Sequence, residues 1–140
     1  MKIQADKLIS EAAGSMYDLI ALPGGMPGAE HLRDSAELNQ LITQQQQADG
    51  MYAAICATPA VFLEAKGMLQ GKQATAHPAF ADKLANQAAV QQRVVVDGKL
   101  TTSRGPGTAF EWALSLVKQL YGEEKMREVA GPMVMYDFKV

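Results

Sequence analysis

The sequence predicts an α/β fold in which a mostly parallel sheet carries helices on both faces. Strand-like and helix-like segments alternate along the chain, which is the pattern of such a sheet. No internal repeat or linker divides the chain, and 140 residues are enough for a hydrophobic core of their own. We therefore expect a single domain over residues 1–140.

The N-terminal part predicts strand and helix segments in turn. A short strand is expected at residues 2–5, and a short helix or turn follows up to Ala13. An apolar strand over residues 17–22 runs into the breaker cluster Pro23-Gly24-Gly25. Ser35 is placed to cap the next helix. The apolar residues of that helix recur at helical spacing: Leu38, Leu41 and Ile42.

The middle of the chain predicts a strand and a helix on either side of the only cysteine. The four glutamines at 44–47 are expected to form a solvated face in the last turns of the preceding helix. Met51–Ile55 is the next strand. A helix over residues 59–66 begins at a proline and ends at Gly67.

The segment that follows predicts an extended piece, a helix and a hairpin. Residues 74–76 are expected to be extended, and a helix is expected over residues 78–86. Residues 93–96 and 99–102 then form the two strands of a β-hairpin, with Asp97-Gly98 as its two-residue turn.

Two helices are predicted near the C-terminus. The longest helix of the chain covers residues 108–120 and ends at Tyr121-Gly122. Glu123–Ala130 forms a final short helix, before the apolar tail at 133–138. One side of the longest helix is expected to be apolar: Phe110, Ala113, Leu114, Val117 and Leu120.

Composition and charge exclude several classes of protein. The net charge is −2 and the basic residues are scattered, so no nucleic-acid partner is predicted. A single cysteine cannot form an internal disulfide. No apolar run approaches the roughly 20 residues that span a bilayer, and residues 1–10 lack the features of a signal peptide. We expect a cytoplasmic protein with no membrane partner; the plastid and the nucleus are the alternatives.

Cys56 lies between a short apolar run and a helix that begins with proline. A sharp strand-to-helix turn holds a nucleophile at the edge of a sheet with its side chain accessible. The positive end of the following helix favours the thiolate form. A free cysteine is also a common small core residue, so both interpretations stay open at this point.

Two further loops are expected beside this turn, because ligands of α/β sheets bind at the carboxyl ends of the strands. The glycines of LPGGMPGAE let backbone N–H groups approach a reacting group, although a plain turn has the same composition. His77 follows an extended segment and is placed to orient or deprotonate a thiol. His31 is expected to be a surface residue. No spacing of residues predicts a metal site or a dinucleotide fingerprint.

Four blocks, in this order, carry a resemblance to a known family: LPGGMPGAEHL, AAICATPAVFLEAKGML, AHPAFADKL and TSRGPGTAFEWAL. They resemble the ThiJ/PfpI family, also called the DJ-1 family, and most closely its plant-type members. The resemblance implies a flavodoxin-like three-layer α/β sandwich and a homodimer. It also implies a cysteine-dependent, cofactor-free glyoxalase or deglycase whose substrates are small reactive dicarbonyls such as methylglyoxal and glyoxal.

The resemblance also implies roles for individual residues. Cys56 matches the family nucleophile and His77 the histidine beside it. The backbone N–H groups of Gly25 and Ala57 match the donors that hold an oxyanion. No metal or organic cofactor is implied. Six residues are expected at the rim of the site: Gly24, Thr58, Ser103, Arg104, Gly105 and Pro106.

The chain departs from the family pattern in two ways. Thr58 stands where many members have glycine, so its hydroxyl is expected to narrow the pocket or to cap the helix. The family's first β-α-β unit, with the glutamate that serves as general acid/base, has no counterpart here, so we expect an N-terminally truncated fold. Neither Glu64 nor Glu111 is assigned that role. A redox-sensing or chaperone-like stress protein and a non-catalytic remnant are therefore the alternative functions.

Overall fold

A computed structural model describes residues 2–136, and its centre is a four-stranded sheet with the strand order β1-β2-β4-β3. The strands are β1 Leu19–Leu22, β2 Met51–Ile55, β3 Val94–Asp97 and β4 Leu100–Ser103. β2 pairs in parallel with β1 on one side and with β4 on the other. β3 and β4 form an antiparallel hairpin. The sheet is thus mostly parallel, which confirms the predicted fold class.

Helices cover both faces of this sheet. They are α1 Ile9–Ala12, α2 Gly28–Asp34, α3 Ala36–Gln47, α4 Ala109–Tyr121, α5 Glu123–Ala130 and a π-helix at Pro59–Glu64. Alternate residues of a strand point to opposite faces. Tyr52 and Ala54 of β2 belong to the main core, which includes residues of α3. On the other face, the Trp112 and Gln119 side chains of α4 donate hydrogen bonds to Thr101 of β4.

The α3 helix begins where the sequence predicts it, and one of its glutamines is part of the interior. Ser35 Oγ accepts a hydrogen bond from the Leu38 N–H at 3.2 Å and so caps the helix. The prediction that residues 44–47 form a solvated face holds for the exposed Gln44 and Gln47 but is wrong for Gln45. Gln45 is buried, and its amide nitrogen donates to the carbonyl oxygens of Tyr17 and Met51. A helical pattern of apolar residues cannot reveal a polar side chain buried to satisfy loop carbonyls.

The β1 edge of the sheet is open. Residues 2–5 form no strand, contrary to prediction, and they are exposed. Within the described residues, β1 pairs only with β2, and an apolar groove of about 590 Å³ lies beside it. Ile9 of α1, Leu19 and Ala21 of β1 and Leu41 of α3 are among the residues that line this groove. We call it the β1 groove.

The segment between β2 and β3 is less regular than predicted. The helix expected over residues 59–66 is the shorter π-helix Pro59–Glu64. Residues 74–76 are buried but join no strand, because the Thr75 N–H donates to the side-chain Oγ1 of Thr102 instead of to a strand carbonyl. The helix expected over residues 78–86 is reduced to a 3₁₀ turn at Ala81–Lys83.

Three further predictions need correction. The α2 helix begins within a segment that was predicted to be a loop. The prediction failed because glycine and proline at the start of the helix are also typical of loops. The hairpin is confirmed, but Asp97 pairs with Leu100, so its turn is Gly98-Lys99 rather than Asp97-Gly98. In α4, the predicted apolar residues Phe110 and Ala113 are exposed. The buried residues of α4 are Glu111, Leu114, Ser115 and Leu116.

The C-terminal predictions are confirmed in outline. α4 and α5 have nearly the predicted bounds, and α5 packs its Met126 and Ala130 against Leu114. The last residues of the predicted apolar tail, 137 and 138, lie outside the described residues.

Candidate active site

Cys56 occupies a sharp turn directly after β2. Its φ is +68°, a conformation that residues other than glycine seldom adopt. The turn is held on both sides, because the Cys56 N–H donates to the Ser103 carbonyl at 3.0 Å and the Cys56 carbonyl accepts from the His77 N–H at 2.8 Å. The thiol is partly exposed. A strained backbone that its neighbours fix in place is typical of a nucleophile turn.

Gly24 lies against this turn at a distance that no side chain permits. A Cβ added to Gly24 would lie 2.4 Å from Cys56 Cβ and 2.7 Å from the Ile55 carbonyl oxygen. It would also lie 3.3 Å from Cys56 Sγ. Because any side chain would overlap the cysteine, glycine is needed here for the loop after β1 to approach the thiol.

Thr58 joins the loop after β1 to the cysteine turn. It is fully buried, and its hydroxyl donates to the Pro23 carbonyl oxygen at 2.5 Å. Its side chain does not cap the π-helix. The departure from glycine at this position therefore supplies a direct link between the two segments that are expected to form the site.

The N–H groups of Gly25 and Ala57 make no hydrogen bond to any residue that the structure describes. Gly25 has a φ of +88°, and its carbonyl accepts from the Ala29 N–H at the start of α2. Ala57 is buried directly after the cysteine. Unused backbone donors next to a thiol are suited to stabilise an oxyanion.

His77 reaches Cys56 through its backbone. Its imidazole Nδ1 accepts a hydrogen bond from the Ala79 N–H at 3.2 Å, which places the proton of a neutral ring on Nε2. The ring packs at a tilt against Phe80. Within residues 2–136, no hydrogen bond joins the imidazole to the Cys56 sulfur. The histidine is thus attached to the cysteine turn through its backbone, and its Nε2–H is available as a donor.

The predicted rim at 103–106 is a compact turn, and it is fixed by Thr108, which was not among the predicted site residues. Thr108 Oγ1 accepts hydrogen bonds from the backbone N–H groups of Arg104 and Gly105. It also shares a hydrogen bond of 2.7 Å with the buried Ser103 hydroxyl. The rim is therefore held rigidly beside His77. A Cβ added to Gly105 would lie 3.4 Å from His77 Cδ2. A threonine three residues after a glycine could have indicated this turn.

The two glutamates considered as partners of the cysteine, Glu64 and Glu111, do not bond to it. Glu111 is buried and forms an ion pair of 2.7 Å with Arg93. Glu64 lies on the π-helix beyond the cysteine. No hydrogen bond from a described carboxylate reaches Cys56. Residues 2–136 contain no cluster of His, Cys, Asp and Glu that could hold a metal ion, and no helix among them could cross a membrane.

The comparison with known families decides the classification. A family model described as the DJ-1/PfpI family matches residues 1–119. The chain belongs to the DJ-1/PfpI family. The resemblance inferred from the four sequence blocks is therefore confirmed.

Individual DJ-1/PfpI relatives match nearly all of this chain. Protein DJ-1 homolog B of Arabidopsis thaliana is 48% identical over 136 residues, which are 96% of this chain and 31% of that protein. The chain thus spans less than a third of this relative. The glutathione-independent glyoxalase DJR-1.2 of Caenorhabditis elegans is 33% identical, with 96% of this chain and 72% of that protein covered.

A solved DJ-1/PfpI structure shares the fold. The structure of Toxoplasma gondii DJ-1 in an oxidized form matches with a TM-score of 0.91 and 44% identity. The match covers 94% of this chain and 72% of that one. The sheet and its helices are therefore those of a DJ-1 fold.

Proposed function

We propose that Cys56 is the nucleophile of a cofactor-free reaction on small reactive dicarbonyls, methylglyoxal and glyoxal, with their adducts on amines as further substrates. The observation that carries this proposal is the partly exposed thiol at φ +68°, packed against Gly24. A relative with 33% identity is named a glutathione-independent glyoxalase, which supports the same reaction type.

The proposed reaction needs no external oxidant or reductant. The Cys56 thiolate attacks the aldehyde carbon, and the resulting alkoxide is held by the N–H groups of Gly25 and Ala57. A base removes the proton from that carbon, and a proton is delivered to the neighbouring ketone carbon through an enediol. The product is a thioester, which water hydrolyses to the 2-hydroxy acid and the free thiol. One carbon is oxidised while the other is reduced.

His77 has an orienting role in this proposal. Since Nδ1 accepts from the Ala79 N–H, the neutral imidazole offers a donor at Nε2 and no free acceptor. It is suited to hydrogen-bond a substrate oxygen rather than to remove a proton. None of the described carboxylates bonds to Cys56, so we expect slow proton transfer and low turnover by this chain alone.

A redox-sensing stress protein is the second candidate. The partly exposed Cys56 is the only cysteine of the chain, and one similar solved structure is described as oxidized. Peroxide would convert the thiolate first to the sulfenic acid and then to the sulfinic acid. A chaperone-like role or a non-catalytic remnant are the further alternatives.

One experiment separates these functions. The purified chain is incubated with methylglyoxal, and lactate is measured for the wild type and for Cys56→Ala. Lactate that disappears in the variant supports the enzyme. No lactate, but selective sulfinate at Cys56 after mild peroxide, supports the sensor. Neither product, together with a broad thermal unfolding transition, supports the remnant.

We also propose a homodimer. Family membership supports it, as does Phe110, which is 62% exposed on α4 near the turn at 103–108. Sedimentation velocity tests it: a dimer that weakens in Phe110→Ser is expected, and a monomer at micromolar concentration would contradict it. A cytoplasmic location remains the proposal for the compartment.

A further inference from the structure

A cationic pocket is lined by His77 and by two arginines. It has a volume of about 290 Å³ and is formed by the segment that contains His77 and by the turn that follows β4. Its lining, as far as residues 2–136 form it, includes two arginines and no carboxylate: His77, Pro78, Arg93, Arg104, Gly105, Pro106, Gly107 and Thr108. It includes three of the predicted rim residues, Arg104, Gly105 and Pro106.

The two arginines of this pocket differ in their bonding. Arg93 donates from Nε to Glu111 and from a terminal nitrogen to the Gly107 carbonyl, so its charge is offset by a buried carboxylate. The guanidinium of Arg104 has no hydrogen-bond partner among residues 2–136, although its Nε is fully buried. A buried donor without an acceptor is costly, and an anion that accepts from the guanidinium offsets that cost.

We propose that this pocket binds the carboxylate group of a small molecule, with Arg104 as its anchor. Among residues 2–136, Arg93 is paired with Glu111, and the guanidinium of Arg104 is left to bind an anion, which favours a monoanion. The planar guanidinium matches a carboxylate with two parallel hydrogen bonds. The Nε2–H of His77 is a second donor on the same pocket.

This inference deepens the proposed function, on which its choice of ligand rests. The proposed reaction releases a 2-hydroxy acid next to His77, and the pocket would hold the carboxylate of that product or of a substrate that already carries one. The binding itself does not require turnover. Its test therefore uses L-lactate as the probe and measures binding rather than catalysis.

Isothermal titration calorimetry of the full chain with sodium L-lactate at low salt tests the pocket. We expect saturable binding that Arg104→Gln weakens by about 10-fold or more, since a charge-assisted pair is lost. Arg104→Lys keeps the positive charge and most of the aliphatic side chain but cannot form two parallel hydrogen bonds to a carboxylate. It is therefore expected to weaken binding less than Arg104→Gln does. Arg33→Gln removes a partly exposed arginine that pairs with Asp34, and it should leave binding unchanged.

Two further arms make the result decisive. Cys56→Ser is expected to bind lactate like the wild type, so failure of the thiol chemistry leaves this result intact. Inorganic phosphate is expected to bind more weakly than lactate, because one unpaired guanidinium suits a monoanion. The proposal is overturned if lactate binding is absent, if Arg104→Gln and Arg33→Gln behave alike, or if phosphate binds at least as tightly as lactate.

Discussion

The turn at Cys56 and the β1 groove are neighbouring parts of the sheet with opposite character. At the turn, hydrogen bonds join four segments of the chain: Cys56 bonds to Ser103, His77 to Cys56, and Thr58 to Pro23. Along β1, one side of the strand has no partner strand among residues 2–136, and the nearby apolar residues Ile9 and Tyr17 are 37% exposed.

The difference shows where this sequence specifies a rigid geometry. The strain at Cys56 is maintained because hydrogen bonds to Ser103 and from His77 hold the turn in place. The β1 groove has apolar area but no such constraints, and an unpaired edge of this kind invites contact with another chain. We therefore expect small substitutions at the reactive turn to change stability or thiol reactivity. Substitutions in the groove should have little effect on stability.

The largest effect is expected from the core beneath the cysteine turn. Phe62 of the π-helix is fully buried, and Phe62→Ala should lower the free energy of unfolding by about 4 kcal/mol. Ile9→Ala, in the β1 groove, should cost less than about 1 kcal/mol because Ile9 is already partly exposed. Urea denaturation measures both. Equal costs would show that the two regions do not differ.

A smaller loss of stability, with a specific loss of reactivity, is expected from Gly24→Ala. The new methyl group would overlap Cys56, so we expect a cost of about 3 kcal/mol and slower alkylation of the thiol by iodoacetamide. Gly28→Ala is the matched control, since its Cβ would meet no atom within 4 Å. Similar alkylation rates in the two variants would contradict the close contact described for Gly24.

The hydrogen bond that links the loop after β1 to the cysteine turn is expected to contribute about 1 kcal/mol to the free energy of unfolding. Thr58→Val keeps the shape of the side chain and removes the hydrogen bond to the Pro23 carbonyl. Thr43→Val removes an exposed hydroxyl that donates within α3, and it should change stability by less than about 0.5 kcal/mol. Thermal unfolding of the pair tests this. If Thr58→Val were as stable as Thr43→Val, the proposed contribution of this link to stability would be contradicted.

The smallest effect on stability is expected in the β1 groove itself. Ala21 is exposed there, so Ala21→Lys should alter the free energy of unfolding by less than about 0.5 kcal/mol. The added charge should nevertheless reduce the fluorescence of the apolar dye ANS, which binds exposed apolar surface. Ala113→Lys, on an exposed position of α4, is the control and should leave the fluorescence unchanged. Unchanged dye binding in both variants would show that the groove is not an accessible apolar surface.

The regular elements were predictable where a simple pattern determines them. β2 is an apolar run bounded by Gly50 and the cysteine turn, and α3 has a serine cap and apolar residues at helical spacing. The segment after the cysteine was less predictable, because side-chain hydrogen bonds such as those of Thr75 replace the regular backbone pairing. Local propensity does not contain that long-range information.

The candidate site was predictable in its parts but not in its contacts. The turn residues and the glycines indicate where backbones come close, so Gly24 and Cys56 could be placed in the same site. The link from Thr58 to Pro23 spans 35 positions, and the buried pair of Glu111 with Arg93 spans 18. Such pairs depend on tertiary packing, since a polar side chain in an apolar helix face has no partner visible in the local pattern.

The most direct test of the central claim is the rate at which iodoacetamide alkylates Cys56. Because the chain has one cysteine, the total rate belongs to that thiol. The reference is a synthetic peptide of residues 51–61 in the same buffer at pH 7, which has the same local sequence without the folded turn. If the fold presents a reactive nucleophile, the folded chain should react about 10-fold faster than the peptide or more. A folded chain that reacts more slowly than the peptide would show that Cys56 is a protected core thiol.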